Sequence, residues 1–261
     1  IDSTYATLNN YKCCTAPVPS LNFQPGAHMK DIRETIFDYC ELTGKGVADE
    51  FGVSNLQEEI LFNGVIYVDA NYSFTNCKNI KFGEDAELRL IDFAYDLEFH
   101  TCSLSNATCA TSMWKGISIT EFDQQVVLDN CYITNAKCVI NAERDPILYI
   151  TNTTFDANYV SICLNKNDKE FRGTIEGCTF TQSHSMMPPF LGKKPCAHIK
   201  INNVSSMKVG NPLGAINNFE KAEYGIYAIN SNLTVYNNLF NHIRSSDQIN
   251  EGKASCIYLE N

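Results

Sequence analysis

The sequence predicts an all-β fold, a right-handed parallel β-helix formed by a single chain, with an N-terminal capping segment that contains a short α-helix. Three observations lead to this prediction. A short motif that ends in asparagine recurs along the chain, a second apolar motif follows each copy, and the N-terminal region carries apolar residues at helical spacing. Their positions divide the chain into a capping segment, residues 1–57, and a repeat domain, residues 58–261.

The first motif consists of an apolar residue, then any residue, then an Asn, Gly or Thr residue that we expect to form a corner. Its copies lie mostly 22 to 29 residues apart: Phe74–Cys77, Phe99–Cys102, Leu128–Cys131, Ile150–Thr153, Ile175–Cys178 and Val235–Asn238. The second motif is a short apolar strand that also ends in Asn: Cys138–Asn141, Ile162–Asn165, Ile199–Asn202, Ile226–Asn230 and Ile257–Asn261. Two such strands in each repeat predict one turn of a polygonal coil.

Asparagine suits the corners because it tolerates left-handed backbone angles better than other residues with a side chain. Stacked asparagines can also hydrogen-bond from one turn to the next. The alternative, a Greek-key sandwich, predicts Asn-Gly turns between strands, but Asn63-Gly64 comes before the repeats. We therefore expect corner asparagines in two groups, Asn76, Asn130, Asn152 and Asn237 from the first motif, and Asn141, Asn165, Asn202 and Asn230 from the second.

The twelve cysteines contain no CxxC pair, which argues against a zinc site and leaves disulfides, buried thiols or both. Cysteines that directly follow a corner are expected to stack inside as small apolar residues; they are Cys77, Cys102, Cys131 and Cys178. A disulfide between Cys102 and Cys109 is a second possibility, because the loop between them is short.

The ends of a β-helix expose apolar core and unpaired strand edges. Residues His28 to Leu42 place apolar side chains at helical spacing, and Gly44 and Gly46 follow as stop signals. We expect a capping helix here that packs over the first turn near 61–67; a partner-binding helix is the alternative. Asn261 closes a strand motif without a cap, so we expect the natural chain to continue beyond it.

Charge and hydropathy exclude several classes of partner. The formal charge is −10 and there is no basic run, so we expect no nucleic acid partner. No apolar stretch is long enough for a membrane span. The sequence gives no indication of a cofactor or of a bound metal, and we expect neither. The hydrophobic fraction of 44% predicts a folded chain rather than a disordered one.

Residues Glu58 to Ile119 resemble a large group of secreted right-handed β-helix proteins of Bacteroidetes-type bacteria. Their repeats relate to the pectate-lyase superfamily and to periplasmic NosD-like copper-site proteins. The matching features are the entry strand 60–68, the segment 72–74, and Cys109 leading to 113–117; 152–162 and 217–226 look like later repeats. The resemblance implies a secreted or cell-surface protein whose partner is a polysaccharide or a protein of the surface or secretion machinery.

Catalytic motifs of the hydrolases and epimerases with this fold are absent from the sequence. The remaining candidates for catalysis gather on an expected acidic outer face: Asp129, Glu143, Arg144, Asp145, Asp156 and Glu176. We therefore expect no catalytic residues, and favour a non-catalytic scaffold or adhesin that binds carbohydrate or a partner protein. The alternative is a polysaccharide lyase or related carbohydrate-active enzyme acting on acidic glycans.

The longest insertion in the repeats runs from Ser185 to Pro195. Long loops on a rigid scaffold commonly carry binding residues. We expect this loop to bind a ligand or a partner through Tyr159 and Phe190, with His184 and His198 flanking it.

Overall fold

The structure, a computed structural model, describes residues 20–92, 95–108, 110–244 and 254–260. Within these ranges the chain forms a parallel β-solenoid of about seven turns with one helix near its N-terminal end, which confirms the predicted β-helix. Strands β1 to β27, numbered in chain order, fall into four sheets. All strand pairs are parallel except the hairpin β2–β3.

Sheet 1 forms the first side of each turn, and its short strands alternate between an inward apolar residue and an outward polar one. Its nine strands are β1 (Leu21–Phe23), β4 (Ile60–Phe62), β7 (Ile80–Phe82), β10 (Ser103–Asn106), β13 (Tyr132–Thr134), β16 (Thr154–Asp156), β20 (Thr179–Thr181), β23 (Asn217–Glu220) and β26 (Asn238–Asn241).

Sheet 2 forms the second side, and its eight strands are β5 (Val65–Val68), β8 (Glu87–Leu90), β11 (Gly116–Ile119), β14 (Cys138–Ala142), β17 (Val160–Leu164), β21 (Ala197–Asn202), β24 (Tyr224–Ile229) and β27 (Ser255–Glu260). Sheet 3 forms the third side with β2 (Val47–Ala48), β3 (Gly52–Ser54), β6 (Tyr72–Thr75), β9 (Asp96–His100), β12 (Gln125–Asp129), β15 (Ile147–Thr151) and β19 (Arg172–Glu176). Later turns add sheet 4, β18 (Asn167–Glu170), β22 (Val204–Val209) and β25 (Leu233–Val235).

The corner between sheet 3 and sheet 1 is a column of left-handed residues. Each has a φ between 50° and 68°: Asn55, Asn76, Thr101, Asn130, Asn152 and Gly177. The backbone N–H of each donates to the next turn, as Asn76 does to the His100 carbonyl at 2.8 Å. Side chains stack as well, since Asn76 Nδ2 donates to Asn55 Oδ1 at 2.7 Å. The first-motif asparagines therefore occupy the aligned corners that the repeat predicts, and Asn237 follows sheet 4 with a φ of 47°.

The second-motif asparagines only partly occupy corners. Asn230 has a φ of 46°, but Asn141, Asn165 and Asn202 are not left-handed, so their prediction as corner residues is wrong. The reason is that the strand continues: Asn141 lies inside β14 and Asn202 ends β21, and the left-handed residue is the next one, Asn203. Asn165 Nδ2 still donates to Asn141 Oδ1 at 3.0 Å, so these two side chains stack along the solenoid.

A column of buried side chains follows the left-handed corner, and we call it the corner ladder. Its members are Cys77, Cys102, Cys131, Thr153, Cys178, Asn217 and Asn238. Each donates a hydrogen bond to a carbonyl of the preceding turn, at distances from 2.9 to 3.9 Å. The four predicted interior cysteines are confirmed as buried. Cys102 is a free thiol, and Cys109 lies outside the described residues, so the structure lends no support to the disulfide predicted between them.

The predicted capping helix is present as α1, Met29–Thr43. It ends at Gly44, whose φ of 66° is the left-handed conformation that favours glycine, and the Gly44 N–H donates to the Cys40 carbonyl. Its buried side chains, Met29, Ile32, Ile36 and Cys40, contact the first turn through β1, β3 and β5. Pairing of β1 with β4 and of β3 with β6 means that solenoid sheets already begin within the predicted capping segment.

The core is one continuous apolar cluster that runs the length of the described solenoid. Aromatic rings stack along sheet 1, with centroid distances of 4.9 Å for Phe155–Phe180, 4.6 Å for Phe180–Phe219 and 4.9 Å for Phe219–Phe240. A rigid interior of this kind leaves the outer faces and the long loop free to differ without disturbing the fold.

Candidate functional site

The long loop joins β20 to β21, and a buried carboxylate anchors its beginning. Asp156 accepts hydrogen bonds from the Ser183 N–H at 2.7 Å, from the Ser183 hydroxyl, and from the Tyr132 hydroxyl at 2.7 Å. Burial alone would raise the pKa of Asp156, but these hydrogen bonds outweigh it and lower the pKa below its ordinary value. Asp156 is therefore an ionised anchor for the loop.

The loop then folds back over the solenoid through an aromatic pair. The rings of Tyr159 and Phe190 lie parallel, with centroids 3.5 Å apart. Beneath them Met113, Ala157 and Met186 form a small buried cluster. Burial, with a smaller contribution from Cys196, raises the pKa of Tyr159 to about 12, so its hydroxyl stays protonated. Two of the four residues expected to bind thus form one half-buried surface.

The two histidines do not join this pair. The exposed His184 lies on the sheet 1 side, where its Nε2 is 3.4 Å from Thr134 Oγ1. His198 is in the core, within 5.7 Å of the Phe180 ring, and its Nε2 donates to the Glu220 carbonyl at 2.7 Å. Burial lowers the pKa of His198 to about 4, which keeps it neutral. A side chain so enclosed stabilises the fold and cannot flank the loop as the sequence suggested.

Three tyrosines extend the Tyr159–Phe190 surface along the outer face of sheet 2. Tyr227 and Tyr258 are partners in neighbouring strands, with parallel rings 5.1 Å apart. Tyr224 contacts both, at 4.9 and 5.6 Å. Within β24, Gly225 and Ile226 are both buried, and Tyr224 and Tyr227 on either side of them are half-buried. We call Tyr159, Phe190, Tyr224, Tyr227 and Tyr258 the aromatic band.

Backbone hydrogen bonds connect the two ends of the aromatic band. The Cys196 N–H donates to the Tyr159 carbonyl at 2.9 Å, and the Tyr224 N–H donates to the Cys196 carbonyl at 3.1 Å. Tyr159 directly precedes β17, whereas Tyr224 and Tyr227 lie in β24 and Tyr258 lies in β27. Strand β21, which lies between β17 and β24 in sheet 2, contributes no ring to the band, and Phe190 belongs to the loop before it. Rings held on neighbouring parallel strands repeat at about the 4.8 Å spacing of a sheet.

Charged side chains border the aromatic band. Lys200 pairs in register with Tyr227 on one side and with Cys163 on the other. Lys194 Nζ donates to the Arg244 carbonyl at 3.1 Å, and burial together with the Arg244 charge lowers the pKa of Lys194. Tyr227 donates from its hydroxyl to Glu260 Oε2 at 3.2 Å. The surface thus combines flat apolar rings with polar groups at their edges.

The six acid–base candidates do not converge. Asp129 and Glu176 lie on sheet 3, Asp156 lies on sheet 1, and residues 143–145 follow β14 of sheet 2. Asp129 accepts from the Thr151 hydroxyl at 2.6 Å, and Arg144 lies 5.1 Å from the Phe122 ring centroid. A cavity of about 170 Å³ is lined by Phe122, Arg144, Asp145 and Lys166. It contains only one of the five carboxylates, so the candidates form no shared acid–base pair.

In the described ranges, no three His, Cys, Asp or Glu side chains converge as metal ligands would. None of the helices in the described part of the chain is long and apolar enough to cross a membrane. Comparison with known proteins found no matching family model, no matching curated protein and no matching solved structure.

Sequence reasoning found Tyr159 and Phe190 but missed the three tyrosines. The signal was present, because Tyr227 and Tyr258 occupy the same position in consecutive copies of the second motif. Alternation along a strand places that position outward when Ile226 and Ile257 point inward. Tyr224 could not be found in this way, because strict alternation places it on the same side of the strand as the buried Ile226.

Proposed function

We propose that this protein is a non-catalytic β-solenoid scaffold that binds an extended carbohydrate chain along the outer face of sheet 2. The aromatic band is the observation that carries the proposal. Tyrosine offers a large, rigid contact area with a polar tip at little entropic cost, which suits a ligand that has apolar ring faces and hydroxyl edges. The rings extend from Tyr159, just before β17, to Tyr258 on β27, which suits a ligand that is long rather than compact.

Binding without chemistry agrees with the placement of the titratable groups. A carbohydrate-active enzyme needs its acid and base within reach of one scissile bond. The candidate carboxylates lie on three sides of the solenoid, and Asp156 is committed to holding the loop through Ser183 and Tyr132. The aromatic band itself is bordered by Lys194 and Lys200, which can donate hydrogen bonds to ligand oxygens.

We propose an extracellular or cell-surface location for this activity, as an adhesin-like protein would have. The resemblance of residues 58–119 to secreted β-helix proteins supports the proposal. Protease treatment of intact cells, followed by immunodetection, tests it: loss of the protein from intact cells supports surface display. Protection until the cells are broken contradicts it.

The binding proposal is tested by affinity electrophoresis in gels that contain neutral or acidic polysaccharides, followed by calorimetry with those that retard the protein. Replacing both Tyr227 and Tyr258 by alanine is expected to weaken binding at least tenfold, since buried aromatic contacts dominate such surfaces. The matched control is Tyr149→Ala on sheet 3, a tyrosine that is 45% exposed, where Tyr258 is 37% exposed. Equal loss in the control, or no binding to any polysaccharide, contradicts the proposal.

A polysaccharide lyase is the second candidate, favoured by the cavity that holds Arg144 and Lys166 beside Asp145. A lyase needs a basic side chain to remove a proton from a uronic acid unit. An absorbance assay for unsaturated product on acidic polysaccharides tests this candidate. Product formed by the protein and lost in Arg144→Ala would favour the enzyme over the scaffold.

A further inference from the structure

The N-terminal cap carries a second surface, at the opposite end from the aromatic band. Helix α1 buries Ile32, Ile36 and Cys40 against the first turn, while its other face points away from the core. The hairpin β2–β3 packs beside that face. Asp49 fixes the hairpin turn, because its Oδ1 accepts the backbone N–H groups of Phe51 and Gly52 at 2.8 and 3.0 Å.

A groove of about 370 Å³ lies between the helix and this turn. It is lined by Arg33, Glu34, Phe37, Asp38, Asp49 and Glu50. Phe37 is 38% exposed in the groove, and Phe51 on the turn is 67% exposed. Leu42 and Val47 are exposed on the same cap. Large apolar side chains that remain exposed gain free energy when another molecule buries them.

The negative charge of the groove favours a cationic ligand. Four of its six lining residues are carboxylates, and none of them forms an ion pair within the described part of the chain. The single cation, Arg33, already donates from Nη1 to the Glu50 carbonyl at 3.3 Å. Carboxylates gathered around an apolar floor repel one another, and a cationic ligand with an apolar side chain relieves that repulsion.

We propose that this groove docks a basic peptide segment of a partner protein, with an apolar side chain against Phe37 and lysine or arginine side chains against Glu34, Asp38 and Glu50. The cavity volume of about 370 Å³ lies within the range of about 300–1,000 Å³ that is typical of ligand-binding clefts. Because the groove lies at the cap and the aromatic band on the outer face of later turns, one protein can hold a carbohydrate and a partner protein together.

Fluorescence anisotropy with three labelled synthetic dodecapeptides tests the proposal on the full chain. The first alternates lysine with leucine and contains one tryptophan, the second has glutamate in place of lysine, and the third has serine in place of leucine and tryptophan. Saturable binding is expected for the first peptide alone, and it should weaken as salt is raised from low to physiological ionic strength. Equal binding of the glutamate or serine peptide, or no saturable binding, overturns the proposal.

Two variants locate the contact. Phe37→Ala is expected to weaken binding about tenfold, and Glu34→Gln with Asp38→Asn to weaken it severalfold and reduce its salt dependence. Matched controls are Leu213→Ala and Glu143→Gln, an exposed apolar residue and an exposed acid away from the cap. Far-ultraviolet circular dichroism and thermal unfolding show whether each variant folds. Folded groove variants that bind like the wild type, or controls that weaken binding as much, overturn the proposal.

Discussion

The corner ladder predicts a specific loss of stability when Asn217 is replaced by alanine. Asn217 is fully buried, its Oδ1 accepts the Cys178 N–H at 2.9 Å, and its Nδ2 donates to the Ile175 carbonyl at 2.9 Å. Alanine leaves the Cys178 N–H buried without an acceptor, whereas the Ile175 carbonyl keeps its hydrogen bond from the Gly210 N–H at 2.9 Å. One buried unpaired group costs about 1–3 kcal/mol, so the variant should lose about 1–3 kcal/mol of unfolding free energy.

The ladder itself supplies the matched substitution. Thr153 makes equivalent contacts two turns back, since its Oγ1 accepts the Cys131 N–H and donates to the Leu128 carbonyl, both at 3.2 Å. Asn217→Thr should therefore keep most of the stability that Asn217→Ala loses. The neighbouring Asn218 is only half-buried in the same strand, and Asn218→Ala should cost less than about 1 kcal/mol.

Urea unfolding followed by circular dichroism and tryptophan fluorescence measures these differences, because the single tryptophan of the sequence, Trp114, is fully buried. If Asn217→Ala loses no more stability than Asn218→Ala, the hydrogen bonds of the ladder do not stabilise the corner. If Asn217→Thr is as unstable as Asn217→Ala, the ladder positions are not equivalent and the reasoning from one turn to the next is wrong.

Three further predictions concern stability. Phe180→Ala removes a ring stacked on both sides and should cost about 3–5 kcal/mol in thermal or urea unfolding, while the exposed Leu213→Ala should change little. Burial lowers the pKa of His198 from 6.5 to about 4 in the folded state, so the unfolded chain binds a proton first as the pH falls. The resulting stability is complete above pH 6.5 and is lost as the pH falls towards 4. Unfolding curves should show a loss of unfolding free energy of about 3 kcal/mol at most over this range, and a smaller loss in His198→Gln. Burial alone would raise the pKa of Glu87, but hydrogen bonds from Arg89 and Lys115 lower it to about 2. Glu87→Gln should therefore destabilise the protein at pH 7 by about 2 kcal/mol, and the stabilities of variant and wild type should converge near pH 2.

The fold was predictable because its constraints repeat. A left-handed corner recurs along the solenoid, and the recurring asparagine, glycine and threonine at that position predict the column from the sequence alone. The burial of the cysteines was predictable from the same register, because the residue after the left-handed corner points into the core. Helix α1 was predictable from its apolar spacing and the glycine that ends it.

The errors come from places where the repeat gives no direct information. Asn202 looks like a corner residue, but the left-handed position falls one residue later at Asn203, a shift that the motif spacing does not encode. His198 appeared to flank the loop, but it lies in the core near Phe180 and Phe219, in a stretch of β21 with three consecutive buried residues, 197–199. Tyr224 departs from strict alternation as well, since it is half-buried although Ile226, two residues later, is buried.

The length dependence of carbohydrate binding tests the central claim most directly. The aromatic band extends from the start of β17 to β27, three strand spacings away in sheet 2, so at about 4.8 Å a strand its ends lie at least about 14 Å apart. Calorimetry with oligosaccharides of increasing length should show affinity rising until the chain spans the band and then levelling off, with the rise lost in the Tyr227→Ala, Tyr258→Ala protein. A monosaccharide that binds as tightly as the longest chain, or an unchanged length dependence in that variant, would contradict the account.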